Sequence, residues 1–385
     1  MPKKHLRKFI LLVLFILSLV LISVSGGVIS YALFYAVLII PLISFLYLIY
    51  VYICFKIYQK LETRNITAGE QIPYSFIIRN EGFTVFTAVN VKVYTDFSYV
   101  SDVPDNHTFR LFPGDKIEYN STLVCRYRGE YKAGVRRLIL TDFLELFRLS
   151  YQIPSPFEVI VKPRIIDLDI DKDIPDLDVH IQSNFRGEIN EPDLVVRDYI
   201  PGDSLKKIHW KSTAKSMALK VRNDITVLKE KVLLVADFER ISDDIHEYLP
   251  WENKVLEQTI GLVYHFVFAK IPIELVFKGH EFQNILISDV IRFNYVYEQL
   301  SMINFRFDNH FLKLFFEAQS RGLITEAKIV LMVIHYIDDE LFAELAGLSQ
   351  TSKITVIYVI TNMDISGYCR QSTERFKIIK VGFED

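Results

Sequence analysis

The sequence predicts a mixed architecture: an N-terminal transmembrane helical hairpin, a small antiparallel β-sandwich, and a doubly wound, mostly parallel α/β sheet. Three observations predict it. Two apolar runs, Phe9 to Ser25 and Val28 to Phe55, stand at the N-terminus. Short strand-like runs separated by turn residues follow, to about Lys162. From Val232 onward, continuous apolar runs alternate with segments of helical period. The divisions are residues 1–60 for the hairpin, 61–163 for the β region, 164–195 for an acidic linker and 196–385 for the α/β region.

A membrane-spanning helix needs about 20 predominantly apolar residues, so the second run is long enough with tilt and the first is a short partner. The loop between them, Ser25-Gly26-Gly27, carries no charge, whereas Lys3, Lys4, Arg7 and Lys8 precede the pair and Lys56, Lys60 and Arg64 follow it. Positive flanks stay on the cytoplasmic side. Both ends of the hairpin, and everything after about Gln59, are therefore expected in the cytoplasm. The rival reading, a signal peptide cut near Ser23-Val24-Ser25, leaves that orientation unchanged, because the second span still delivers the remainder inside. Pro41 falls within the second run, where it is expected to kink the helix.

In the β region, Ile72 to Ile78 ends at the turn signal Asn80-Glu81-Gly82, and Val89 to Tyr94 alternates again. Leu111 to Asp115 forms another turn before a run from Ile117 through Val124, and Arg128 to Tyr131 and Ala133-Gly134 bound further short strands. Strands at such spacing predict a sandwich. Ile165 to Asp178 then carries an aspartate at nearly every second position. Its spacing is similar to a calcium loop, but Lys172 stands where glycine is needed and Asp178 where a bidentate glutamate sits, so a solvated acidic connector is expected.

In the α/β region, Val232 to Ala236, Ile273 to Phe277, Ile329 to Ile334 and Ile354 to Ile360 read as strands, and Phe376 to Val381 as an edge strand. Helical periods occupy Lys254 to Ala269, Val290 to Met302, His310 to Ala318 and Asp339 to Leu348. Ligands of such sheets bind at the carboxyl ends of strands, which points to Asp237 and to His335 through Asp339.

Composition excludes several classes. The net charge of −3 argues against bulk nucleic-acid binding. The three cysteines, Cys54, Cys125 and Cys369, are scattered, as expected in a reducing compartment. There is no glycine-rich phosphate loop, HExxH or nucleophile elbow, and no catalytic activity is expected.

The densest polar constellation is Arg197-Asp198-Tyr199-Ile200-Pro201-Gly202-Asp203-Ser204, continuing through Lys206, Lys207, Ile208, His209, Trp210, Lys211 and Lys215 to Lys220 and Arg222. Pro201-Gly202 turns the chain and Asp203 or Ser204 caps a helix, with Leu205, Ile208, Ala214 and Met217 as a partial apolar face. The lysines serve as a solvated face, a docking surface for an acidic partner, or a contact for anionic lipid.

This string resembles the signature of domain-of-unknown-function family 58. Arg128-Gly129-Glu130-Tyr131 and Asp142-Phe143 stand where that family carries similar pairs, and the order of regions is alike. Lys215 replaces a commoner arginine. The resemblance implies that the α/β region is von Willebrand factor A-like. It also implies protein-interaction work in assembly, with a MoxR-type AAA+ ATPase as partner. The interaction signature then comprises Arg197, Tyr199, Pro201, Gly202, Asp203, Lys206, Lys207, His209, Trp210, Lys211 and Lys215.

A metal-dependent adhesion site begins Asp-x-Ser-x-Ser, whereas this chain reads Asp237-Phe238-Glu239-Arg240-Ile241. Ile241 offers no ligand, and Arg240 adds positive charge, so magnesium is not carried over by the resemblance. Any metal would fall to Asp237, Glu239 and Asp338. Asp338 and Asp339 read better as the cap and first turn of the following helix.

Overall fold

The computed structural model describes residues 2–101, 108–154, 156–174, 196–199, 208, 210–222, 231–350 and 353–383. The chain divides into two compact units, Met1–Arg164 and Ile165–Asp385.

The first unit opens with α1 (Pro2–Ser25) and α2 (Val28–Cys54), both long and apolar enough to cross a membrane. Gly26 joins them at φ +56°, a left-handed conformation that glycine adopts without strain. Phe15 and Phe34 meet across the pair at 5.9 Å. Most apolar side chains of the hairpin point outward, as in Phe9, Leu17, Val20 and Ile43.

The second helix ends one residue earlier than its apolar run, and β1 (Phe55–Leu61) follows without a linker. Residues 55–60 therefore belong to the β region. Phe55, Ile57, Gln59 and Leu61 face inward while Lys56, Tyr58 and Lys60 are exposed, the two-residue period of a strand. The other strands are β2 (Asn65–Thr67), β3 (Gln71–Asn80), β4 (Phe86–Val93), β5 (Ser98–Val100), β6 (Thr108–Leu111), β7 (Lys116–Cys125), β8 (Gly129–Ala133), β9 (Val135–Thr141), β10 (Arg148–Gln152) and β11 (Phe157–Lys162). They form antiparallel sheets ordered β1-β3-β7-β5 and β10-β9-β4-β6, with a small mixed sheet β2-β11-β8. Ile72, Tyr74, Phe76 and Ile78 of the first sheet share one core with Val89, Val91, Leu138 and Leu140 of the second. The same core takes in Leu48, Val51 and Phe55, so the last turns of α2 are packed into the β region.

In the second unit, the first part of the acidic segment is not a solvated connector. Ile170 and Ile174 are buried in the sheet core, and a helical turn spans Ile170–Asp173. The aspartates alternate with apolar residues, so Asp167 and Asp169 face solvent while Ile166 and Leu168 lie against Gly261. A Cβ at position 261 would stand 2.9 Å from the backbone oxygen of Ile166, which explains the glycine there. Asp176, Asp178 and the rest of the segment lie outside the described residues. Next come β12 (Val196–Asp198), a short helix Trp210–Ser216 and β13 (Lys220–Arg222), which pairs with β12.

The large sheet comprises β14 (Lys231–Ala236), β15 (Ile273–Lys278), β16 (Phe282–Ile287), β17 (Ala327–Ile334), β18 (Ile354–Ile360) and β19 (Phe376–Val381), ordered β16-β15-β14-β17-β18-β19. Five strands are parallel, and β16 is an antiparallel edge joined to β15 by a hairpin. Alternate residues of β14 serve opposite faces: Val232, Leu234 and Ala236 enter one core, Leu233 and Val235 the other. Burial on both faces is why this strand reads as an unbroken apolar run. The helices Ile245–Phe268 and Val290–Ser301 cover one face, and Phe311–Ser320 and Asp339–Ala346 the other. The first of these begins nine residues before its apolar period, started by Asp244, whose carboxylate accepts from the His246 amide.

Asp173 accepts a hydrogen bond from the buried Tyr358 hydroxyl at 3.0 Å. Burial holds the Asp173 carboxyl above the usual carboxylate range, outweighing the Tyr358 bond and the charge of Lys377. A carboxyl raised on folding contributes stability that is present below its unfolded pKa and lost as pH rises through the folded value. Asp173→Asn keeps an acceptor for Tyr358 but has no proton to lose. The melting temperature of this variant relative to wild type should therefore climb between pH 4 and pH 7; a falling difference would contradict the assignment.

Candidate functional site

The sheet order changes direction between β14 and β17, where each central strand's chain departs to opposite sides. In open α/β sheets the crevice beyond the carboxyl ends at this point is where ligands bind. Asp237 follows β14 and His335 follows β17, and their backbones are tied by the Asp237 amide donating to the Val333 carbonyl at 2.9 Å.

Asp237 is buried, at 1 % exposure. One carboxylate oxygen accepts from the Glu239 amide at 3.1 Å, and the other makes a close hydrogen bond with Nδ1 of His335. Glu239 extends from the strand end in a parallel bridge with Arg306. That bridge brings up His310, whose Nδ1 lies 2.8 Å from a carboxylate oxygen of Glu239. Asp237, Glu239 and His335 offer ligand atoms all within 4.8 Å of one another. Among the described residues, the second carboxylate oxygen of Glu239 is buried without a hydrogen-bond partner. Burial and the neighbouring Asp237 push the Glu239 carboxyl up, against the lowering effect of His335 and His310.

One expectation changes here, and the cap reading of Asp338 is the one the structure shows. Arg240 does not add its charge to this crevice, because its Nε donates to the buried Glu252 at 2.9 Å and its guanidinium stacks on Tyr248 at 4.0 Å. Asp338 is spent as a helix cap, accepting from the Leu341 amide at 2.8 Å, and is not in the carboxylate–histidine group. His335 lay on the rim that the strand pattern pointed to. His310 did not, since it stands 71 residues from Glu239 and only the irregular pairing at Arg306 unites them.

The donor set is two carboxylates and an imidazole, with no hydroxyl where Ile241 stands. It does not fit the hydroxyl-rich magnesium adhesion site. It fits a borderline ion that accepts nitrogen, with Asp237, Glu239 and His335 as ligands and His310 orienting Glu239.

The signature segment is only partly within the structure. Pro201, Gly202, Asp203, Lys206, Lys207 and His209 lie outside the described residues, as does the side chain of Arg197, whose backbone is in β12. Tyr199 is half-buried and its amide donates to the Leu219 carbonyl at 2.9 Å. Ile208 is buried as the apolar pattern requires. Ala214 and Met217 are exposed, however, and Met217 ends the helix at φ +56°, so the apolar face stops short. Trp210, at 67 % exposure, stands outward with Met217, Leu219, Lys211 and Lys215. Cys125 in β7 is buried, and burial pushes its thiol up, which suits packing rather than nucleophilic chemistry.

No family model matches the chain, and no curated protein matches it. Among solved structures, the CARDB domain of the PF1109 protein from Pyrococcus furiosus is similar at 16% identity over 28% of this chain and 86% of that one, with a TM-score of 0.19. The trypsin-activated alpha-2-macroglobulin of Escherichia coli follows at 12% identity, 40% and 9% coverage, and a TM-score of 0.22. A GH20 exo-β-N-acetylglucosaminidase of Vibrio harveyi spans 85% of this chain and 81% of its own at 8% identity, with a TM-score of 0.19. Likenesses of this strength carry no argument about function.

Asp237→Ala removes the acceptor of both the Glu239 amide and His335. It should cost about 1–3 kcal/mol for each buried group left unpaired. Thermal unfolding of the variant against wild type measures this, and an unchanged midpoint would contradict the arrangement.

Proposed function

We propose that this chain is a membrane-anchored, cytoplasm-facing protein-interaction protein of the domain-of-unknown-function family 58 type, an adaptor in assembly rather than an enzyme. Its partner class is a MoxR-type AAA+ ATPase, and its α/β unit is von Willebrand factor A-like. The two apolar helices support the anchor, and the basic residues on their outer flanks support the orientation. The parallel sheet wrapped on both faces, with an antiparallel edge strand, supports the α/β reading.

The observation that carries the adaptor reading is Trp210, 67 % exposed and next in sequence to Lys211, with Lys215, Met217 and Leu219 exposed further along the same segment. A Trp exposed among basic residues is a costly surface for a solitary protein and the ordinary composition of an interface anchor. With the full-length protein in detergent, a purified MoxR-type ATPase should bind wild type and bind the Trp210→Ala, Lys211→Glu, Lys215→Glu variant about tenfold or more weakly. Equal binding by both would move the interface elsewhere, and no binding to wild type would remove the partner assignment.

A second reading is favoured by the unpartnered oxygen of Glu239: a metal at the Asp237 crevice that receives a carboxylate from the partner. Calorimetric titration with zinc or manganese should then show heat that Glu239→Gln and His335→Ala abolish. The absence of heat at millimolar metal would end this reading.

A further inference from the structure

Within the first unit, a cavity of about 500 Å³ lies between the hairpin and the loop that joins β9 to β10. That size falls within the ~300–1,000 Å³ range of ligand pockets. Nine of its ten lining residues are apolar, among them Leu11 and Leu14 of α1, Val37 and Pro41 of α2, and Phe143 and Leu146 of the loop. The tenth is Arg7. Its Nη1 reaches a carboxylate oxygen of Glu145 at 2.9 Å and the Leu144 carbonyl at 3.3 Å, which pins the cation at one end of the cavity. Glu145 takes a left-handed backbone, φ +57°, at the loop tip where it makes this pair.

The occupant follows from where the walls come from. Ile10, Leu14 and Ile40 on these walls are 47%, 41% and 47% exposed, so the cavity is continuous with the outer faces of both helices. Around membrane-spanning helices those faces meet lipid. Arg7 to Ser25 is 18 residue steps, about 27 Å of helix, close to the ~30 Å of a hydrocarbon core. Arg7 thus stands at the headgroup level, and the wall from Arg7 to Leu14 runs about 10 Å inward from it. The Glu145 and Leu144 contacts both use Nη1, which leaves the Nε and Nη2 hydrogens of Arg7 for a phosphodiester above an acyl chain in the slot.

We propose that Arg7, the two helices and loop 142–147 form a binding site for one bilayer phospholipid. One acyl chain lies in the cavity and the phosphate sits at Arg7. The proposal rests on the membrane-spanning reading given above. The site uses residues of a β-rich domain to hold a lipid of the surrounding bilayer, tying the β unit to the membrane surface beyond the covalent link at Cys54–Phe55.

The test reconstitutes the full-length protein in nanodiscs containing phosphatidylglycerol or phosphatidylcholine with a photoactivatable diazirine on the acyl chain, followed by peptide mapping. Label is expected on the peptide carrying Phe143 to Leu146 as well as on the hairpin, more strongly with phosphatidylglycerol. Leu11→Trp, which fills the slot, should remove loop labelling and leave labelling of the hairpin's outer face. Arg7→Gln should abolish the preference for the anionic headgroup. A labelled hairpin with an unlabelled loop, or loop labelling that survives Leu11→Trp, would overturn the lipid site while sparing the span. A headgroup preference retained in Arg7→Gln would overturn the role of Arg7. A hairpin that takes no label would overturn the membrane reading itself, and the site with it.

Discussion

A single buried carboxylate, Asp142, ties the second helix to the loop between β9 and β10. It is 1% exposed and accepts from three donors: the hydroxyl of Ser44 on α2, and the backbone amides of Leu144 and Phe147. A buried carboxylate is tolerable only when its lone pairs are met, so these three bonds must form together. The amide bonds fix the loop between β9 and β10, and the Ser44 bond fixes the helix against it. The stripe Ser44, Leu48 and Val51, spaced as one helical face, is then committed to the β region. Tyr47 extends the seam by donating to the Val85 carbonyl at 2.5 Å, and Phe45 and Phe147 meet edge-on at 5.4 Å. A helix of 27 residues is about 40 Å long, more than a bilayer core needs. The surplus is the length spent on this seam.

The second unit depends on a comparable economy at the crevice between β14 and β17. Strands buried on both faces leave only their ends free for polar chemistry, and Asp237 and His335 occupy those ends. Glu239 and His310 add a second layer, so that two carboxylates and two imidazoles meet in a small volume. Three of the four carboxylate oxygens are met inside the cluster, and the fourth, on Glu239, is buried without a partner among the described residues, which is what supports the metal reading proposed above.

Much of this was legible in the sequence. The hairpin followed from the length of its apolar runs, and the β region and the four central strands of the α/β sheet from apolar pattern, because each of these buries a whole face or a whole strand. Asp237 and His335 followed because polar residues immediately after such strands fall at the sheet rim. Other features were not legible, each for a physical reason. Residues 165–174 read as an acidic connector because every second residue is Asp, yet the intervening Ile166, Leu168 and Ile170 dock on Gly261 and the sheet. Strand β16 has no clean alternation, since Gln283 and Asn284 stand side by side exposed and only Ile287 of Phe282–Ile287 is buried. His310 joins the crevice through a lone backbone bridge at Arg306, a tertiary event with no local signal.

With the hairpin spanning the bilayer as proposed, Asp142 holds the β9–β10 loop at the headgroup level. The most direct measurement is the collisional accessibility of a spin label in nanodiscs, at position 143 of the loop and at position 62, beyond the far end of β1. The label at 143 should collide preferentially with lipid-soluble oxygen and the label at 62 with a water-soluble nickel chelate. Introducing Asp142→Leu should release the label at 143 toward the chelate. Labels at 143 and 62 that are equally open to water in the parent protein would contradict the claim.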